Sequence, residues 1–166
     1  MYSDRVPIEF DTGTLGVLIA REVFNAGMPT KAEVDGDWYL NNVDYFLRCT
    51  ETSVQSILHT SLKDMSPTRA LDLFSWTRAV KMAHSVMKTS YESVSSSNNF
   101  QDVWVTAQQT FFRRYCLLTC NADQSSDEAY TWLRCMVPIL NMAEFISAFD
   151  CARVEKMQTL RPCLSI

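Results

Sequence analysis

Along almost the whole chain the apolar positions recur at three and four residues rather than two, a spacing that predicts helices. The pattern is broadest from Met65 to Lys88, MSPTRALDLFSWTRAVKMAHSVMK. Ala70, Leu71, Leu73, Phe74, Trp76, Ala79, Val80, Met82, Ala83, Val86 and Met87 cover more than half of that helix, while Arg78, Lys81, Ser85 and Lys88 form one polar stripe. A helix apolar on so many sides is one that other helices pack around. Ser66 is placed to cap its start, and Pro67 occupies the first helical position, where a missing N–H costs nothing.

Ahead of this segment, residues 1–13 mix polarity and contain Pro7 and Gly13, which predicts an extended arm. Leu15, Leu18, Ile19, Val23 and Phe24 then mark a helix from Thr14 to Ala26, stopped by Gly27 before Pro29. Thr30 and Glu33 form a capping box, but Gly36 interrupts it, so the next helix is predicted from Asp37 to Cys49 and a further one from Thr50 to Leu62. After Lys88 the stretch TSYESVSSSNN predicts a polar loop. Phe100, Val103, Trp104, Ala107, Phe111, Tyr115 and Leu118 follow on one face of a helix ending near Cys120, hairpinned against the central one. A loop at Asn121 to Ser126 leads to a Ser125–Glu128 capping box and a helix through Trp132, Leu133 and Met136. Pro138 predicts a kink or restart there, because it removes a backbone donor. Apolar spacing continues to Phe149, and a short helix through Val154 and Met157 closes the chain. Residues 1–166 thus read as a single all-α domain, a bundle of about seven to eight helices around a central hydrophobic one.

Composition narrows the function. With 47% hydrophobic and 20% charged residues, the chain can bury an ordinary core, and 4 Gly with 5 Pro disfavour turn-rich β architectures. A net charge of −4 without a Lys/Arg cluster argues against nucleic acid, which needs a concentrated basic face. No apolar run approaches the roughly 18 residues of a membrane span, and the N-terminus lacks a signal-peptide pattern. The six cysteines, Cys49, Cys116, Cys120, Cys135, Cys151 and Cys163, contain no C-x-x-C, and they read as buried, reduced thiols of a cytoplasmic protein. Only Cys116 and Cys120 stand one helical turn apart, while His59 and His84 lie elsewhere, so no metal or other cofactor is expected. No nucleophile–base set, Gly-rich loop or carboxylate pair suggests an enzyme.

The central stretch also carries a resemblance. Ser66-Pro67-Thr68-Arg69 followed by Ala70-Leu71-Asp72-Leu73-Phe74-Ser75-Trp76 resembles the first homology motif of the Bcl-2 family, Asn-Trp-Gly-Arg, three small or apolar residues, then Phe-Phe-Ser-Phe. The Arg, the aromatic-Ser-aromatic triplet and their spacing agree without a gap. Ser66, Pro67 and Thr68 depart from the motif, as do Asp72 and Thr77-Arg78. Tyr39 to Phe46 is similar to the third motif, with Val43 in place of its small Gly. Trp132-Leu133-Arg134 resembles the start of the second, and Glu144-Phe145 its later Asp-x-Phe. Motifs kept as fragments in the right order resemble the divergent homologues carried by large DNA viruses. Many cellular relatives end in an apolar anchor, whereas VEKMQTLRPCLSI is too short and polar for one.

The resemblance implies a Bcl-2-like bundle that inhibits apoptosis by holding the amphipathic Bcl-2 homology 3 helix of pro-apoptotic Bcl-2 family proteins in an apolar groove. It implies action in the host cytoplasm, with recruitment to mitochondria by those partners. Arg69 corresponds to the groove Arg that meets a partner carboxylate. Val43, Phe46 and Leu47, Ile57 and Leu58, and Leu73 and Phe74 are the implied groove walls. Other readings of the same residues stand beside this one. Arg69 has Asp72 at i+3 as a surface partner, the apolar stripes have the ordinary reading of core, and Asp44 that of a solvated acid or a partner of Arg69 within one chain or across a homodimer. A helical viral structural or assembly protein without a ligand groove is the alternative function.

Overall fold

The computed structural model describes residues 7–27, 40–94, 100–120, 128–151 and 163. The described residues are helical and contain no strand, as the spacing of apolar positions requires. The elements are α1 (Ile8–Asp11), a π turn (Thr12–Gly16), α2 (Val17–Ala26), a second π turn (Leu40–Asp44), α3 (Tyr45–Leu58), α4 (Pro67–Val94), α5 (Phe100–Cys120), α6 (Glu128–Leu140) and α7 (Ala143–Ala148).

The described part of the expected extended arm is helical instead. Pro7 opens α1, and its carbonyl accepts from the Phe10 N–H at 2.9 Å. The π turn that follows has a local cause. Thr12 and Thr14 donate their hydroxyls back to the carbonyls of Ile8 and Phe10, at 2.7 and 2.8 Å, in competition with the helical ladder. At Gly13 the chain presses on α5, where a Cβ would stand 2.7 Å from the Phe111 carbonyl. Any larger residue would push the two elements apart.

The boundary expected at Cys49 and Thr50 is absent, because nothing between Tyr45 and Leu58 breaks a helix. α3 instead ends at His59, whose φ of 52° is left-handed. α4 starts as predicted: the Ser66 Oγ accepts from the Arg69 N–H at 3.5 Å, and its carbonyl from the Ala70 N–H at 2.9 Å. The far end of α4 runs through the expected polar loop to Val94. Thr89, Ser90 and Ser93 satisfy their hydroxyls on carbonyls of their own helix, and the Tyr91 hydroxyl donates to Glu9 Oε2 at 2.6 Å. Pro138 lies in the last turn of α6, which stops two residues later, and α7 restarts at Ala143.

Two apolar clusters share α4. One joins Trp76, Val80 and Met87 to Val17 of α2, Phe111, Phe112 and Tyr115 of α5, and Ile139 of α6. The other joins Ala70, Leu73 and Phe74 to Val43, Phe46, Val54 and Leu58, and to Leu133, Val137 and Leu140 of α6. On α5 the expected face is turned slightly: Phe112 is buried and Val103 exposed. The capping boxes at Thr30 and Ser125, the motif residue Tyr39 and the helix through Val154 lie outside the described residues.

The reading of the cysteines as free thiols is corrected. Cys116 of α5 is disulfide-bonded to Cys135 of α6, with Cα atoms 4.8 Å apart, and Cys49 of α3 to Cys163, at 5.7 Å. Cys151 is a free, buried thiol. Pairs 19 and 114 residues apart carry no local signature. Among the described residues no helix is long and apolar enough to cross a membrane, and no group of His, Cys, Asp and Glu is spaced to hold a metal.

Candidate helix-binding cleft

The connection from α3 to α4 is held in place by a buried carboxylate. Glu51 of α3 accepts the Leu62 N–H at 2.6 Å on one oxygen and the Ser61 hydroxyl at 2.8 Å on the other. The backbone of residues 59–66 is thereby drawn back along α3, and Leu62 turns into the second core cluster. The connection leaves a cleft of about 370 Å³ beside the start of α4. Ser61, Asp64, Met65 and Ser66 line one side and Arg69 the next, while Ala129, Tyr130 and Leu133 of α6 close it. Its floor is apolar at Leu133, which is buried, and its rim is polar, with Arg69 and Asp64 both exposed.

Arg69 is oriented by an aromatic ring. Its guanidinium carbon lies 4.8 Å from the centroid of Tyr130, a cation–π distance. The Tyr130 hydroxyl stands 2.9 Å from the Arg69 carbonyl and 2.8 Å from Asp72 Oδ2, so α6 is fixed to the first two turns of α4 through one hydroxyl. Burial, and then the neighbouring Asp72 carboxylate, push the Tyr130 pKa well up, which keeps its proton in place as a donor. Arg21 of α2 reaches the other Asp72 oxygen, Oδ1, at 2.7 Å, and Arg134 of α6 stands 3.1 Å from Oδ2 beside the Tyr130 hydroxyl. The i+3 relation between Arg69 and Asp72 is thus bridged through Tyr130, and the acid meets two other guanidiniums directly. Asp44 pairs with Arg48 at 2.9 Å, one turn along its own helix.

The residues proposed as groove walls divide. Val43, Phe46, Leu58, Leu73 and Phe74 are buried in the second core cluster, and Leu47 and Ile57 are half-buried against it. Phe46 packs edge-on to Phe74 with centroids 5.6 Å apart, and Phe24 approaches the same ring at 5.9 Å. Phe46 of α3 therefore packs on Phe74 of α4, and in this arrangement the five buried side chains present core to one another rather than a surface. Of the eight residues, Arg69 alone lines the cleft. Tyr130 and Glu51, which shape it, were not singled out by spacing. A buried Glu mid-helix has no sequence signature, and of the two aromatics on α6 the apolar spacing marks Trp132 rather than Tyr130.

No family model, curated protein or solved structure matches the chain.

Proposed function

We propose that the chain is a Bcl-2-like protein, of the divergent type carried by large DNA viruses, that inhibits apoptosis by binding the amphipathic homology 3 helix of pro-apoptotic partners. The observation that carries the reading is the cleft itself. It joins Arg69, from the stretch that resembles the first homology motif, to Leu133, from the stretch that resembles the second, although 64 residues separate them (133 − 69). An apolar floor under a rim with one exposed cation suits a helix that presents an apolar anchor beside a carboxylate. At about 370 Å³ the cleft has room for an anchor side chain or two rather than a whole helix. A full-length partner helix therefore requires α3 and the π turn before it to move off α4, uncovering Val43, Phe46 and Phe74. With partners of this class the site of action is the cytoplasm, where both disulfides would be thiols, and the reduced fold must retain the cleft. Fluorescence anisotropy with a labelled homology 3 peptide tests the reading: the wild type binds, and Arg69→Ala weakens binding about tenfold to a hundredfold without loss of stability.

A second reading, helical assembly, is favoured by one specific feature. Leu15, Ile19 and Val23 are 58, 55 and 59% exposed and recur at i, i+4 and i+8, an apolar ridge along the outside of the first π turn and α2. Sedimentation across concentration separates the two: a discrete monomer or dimer fits the helix-binding function, and continued growth in mass fits assembly.

A further inference from the structure

Cys163 joins α3 to the corner between α6 and α7. Its sulfur is bonded to that of Cys49 on α3, and its backbone N–H donates to Asn141 Oδ1 at 3.0 Å. Asn141 stands at the corner itself, 2% exposed, and its side-chain amide donates to the Val137 carbonyl of α6 at 2.9 Å. Thr50, next to Cys49, is buried against the same Asn141, but the two side chains come no closer than 3.4 Å. The disulfide is therefore the firm link between α3 and the corner, and the Thr50 contact a weak one.

This link matters because of how α3 is seated. Among the longer described helices it is the most lightly held: its backbone comes close to α6 at few positions and to α4 at fewer. Its grip on α4 is through side chains, with Phe46 edge-on to Phe74. While the disulfide stands, α3 can leave only by drawing Cys163 out of the second core cluster and breaking the bond to Asn141. Without it, apolar packing alone opposes the movement. Cys49 is partly exposed and Cys163 is 8% exposed, so a reductant meets the bond at the Cys49 sulfur.

We propose that the Cys49–Cys163 disulfide is a redox clamp on α3, which a dithiol reductant opens so that α3 can swing off α4. A thiolate of the dithiol attacks Cys49 Sγ, the bond to Cys163 breaks, and Cys163 leaves as a thiolate that takes up a proton. The second thiol of the reductant then displaces Cys49, which is protonated in turn. The protein gains two electrons and two protons, and the dithiol becomes a disulfide. Cys116–Cys135 ties α5 to α6 and does not touch α3, so the control resides in one bond of the two. Release of α3 uncovers Val43, Phe46 and Phe74, which makes the reduced protein the form that accepts a full-length partner helix. That consequence rests on the helix-binding function proposed above, whereas the release of α3 does not.

The test is amide hydrogen exchange on the full chain without ligand, followed by peptide binding. A 14-residue helix that leaves its packing does not keep its own hydrogen bonds, so exchange within α3 reports the opening. The exchange rate at Val54 relative to that at Leu73 of α4 is expected to rise about tenfold or more from the oxidised wild type to Cys49→Ser and to Cys163→Ser, and to stay unchanged in Cys116→Ser. Dithiothreitol should raise the same ratio in the wild type. A labelled homology 3 peptide is expected to bind Cys49→Ser about tenfold more tightly than the oxidised wild type, because more of the protein is in the open form. A ratio that is unchanged in both variants, as when the whole fold loosens together, overturns the clamp. So does a peptide affinity alike in the oxidised wild type and Cys49→Ser. A peptide that binds neither form while the ratio rises overturns the helix-binding function and leaves the clamp standing.

Discussion

The Tyr130 hydroxyl lies 2.8 Å from Asp72 Oδ2, and this contact ties the first turn of α6 to the second turn of α4. The two helices that form the cleft are thereby held at a fixed separation, with the Arg69 guanidinium resting on the same ring. Tyr130→Phe keeps the ring and removes the bond to a charged acceptor. It is expected to cost about 1.5–3 kcal/mol in urea unfolding. It should also weaken peptide binding less than Arg69→Ala does, because the cation–π contact survives. Equal stability of the two proteins would mean that the contact does not hold the helices.

Glu51 sets the shape of the opposite wall. Glu51→Ala leaves the buried Leu62 N–H without an acceptor, and a loss of about 1–3 kcal/mol is expected. Hydrogen exchange at Leu62 should accelerate well ahead of the exchange at Leu73 in the core. Unchanged protection at Leu62 would remove the pinning role.

His84 makes the fold sensitive to acid. It is 2% exposed, stacked on Phe112 with centroids 5.6 Å apart, and within 3.2 Å of the Gln108 amide. Burial lowers its pKa from the usual 6.5; Glu144 opposes and Lys88 adds to that shift. A depressed histidine binds its proton more readily in the unfolded chain. The stability it allows is therefore complete above pH 6.5 and falls as pH drops below that value, levelling off beneath the folded-state pKa, at no more than about 1.4 kcal/mol per pH unit. Urea midpoints measured from pH 7.5 to 5 should decline for the wild type and decline less for His84→Gln. Parallel curves would exclude His84 as the cause.

The disulfides make a separate prediction. Cys49–Cys163 closes a separation of 114 residues and Cys116–Cys135 one of 19, so the former constrains the unfolded chain more. Dithiothreitol should lower the stability of the wild type by several kcal/mol, with about 2–4 per bond, while leaving its helical circular dichroism intact at neutral pH. Cys49→Ser should account for the larger share. Loss of helicity on reduction would place the folded protein in an oxidising compartment and count against a cytoplasmic function.

How far the sequence carried can be read from particular residues. The central helix was legible because Ser66, Pro67 and the wide apolar band are local signals that agree. Gly27 and Pro138 marked ends for the same reason. The extension of α4 to Val94 was hidden, since serines and threonines that read as loop were satisfied inside the helix and Tyr91 was anchored by Glu9 from far away in sequence. The close approach of Gly13 to the Phe111 backbone and the disulfides depend on pairings across helices, so neither has a local pattern. Arg69, which lines the cleft, is singled out by the motif it resembles. Of the apolar neighbours implied with it, five are buried in the core and Leu47 and Ile57 are half-buried against it, because helical spacing does not say which of two packed helices covers the other.

The most direct test of the proposed function is calorimetric titration with a homology 3 peptide, alongside the same peptide with its Asp replaced by Ala. The account predicts a one-to-one complex with a Kd of about 1 μM or tighter, weakened about tenfold or more by the peptide substitution and weakened similarly by Arg69→Ala. Absence of binding by the native peptide, or binding indifferent to both the peptide Asp and Arg69, would contradict it.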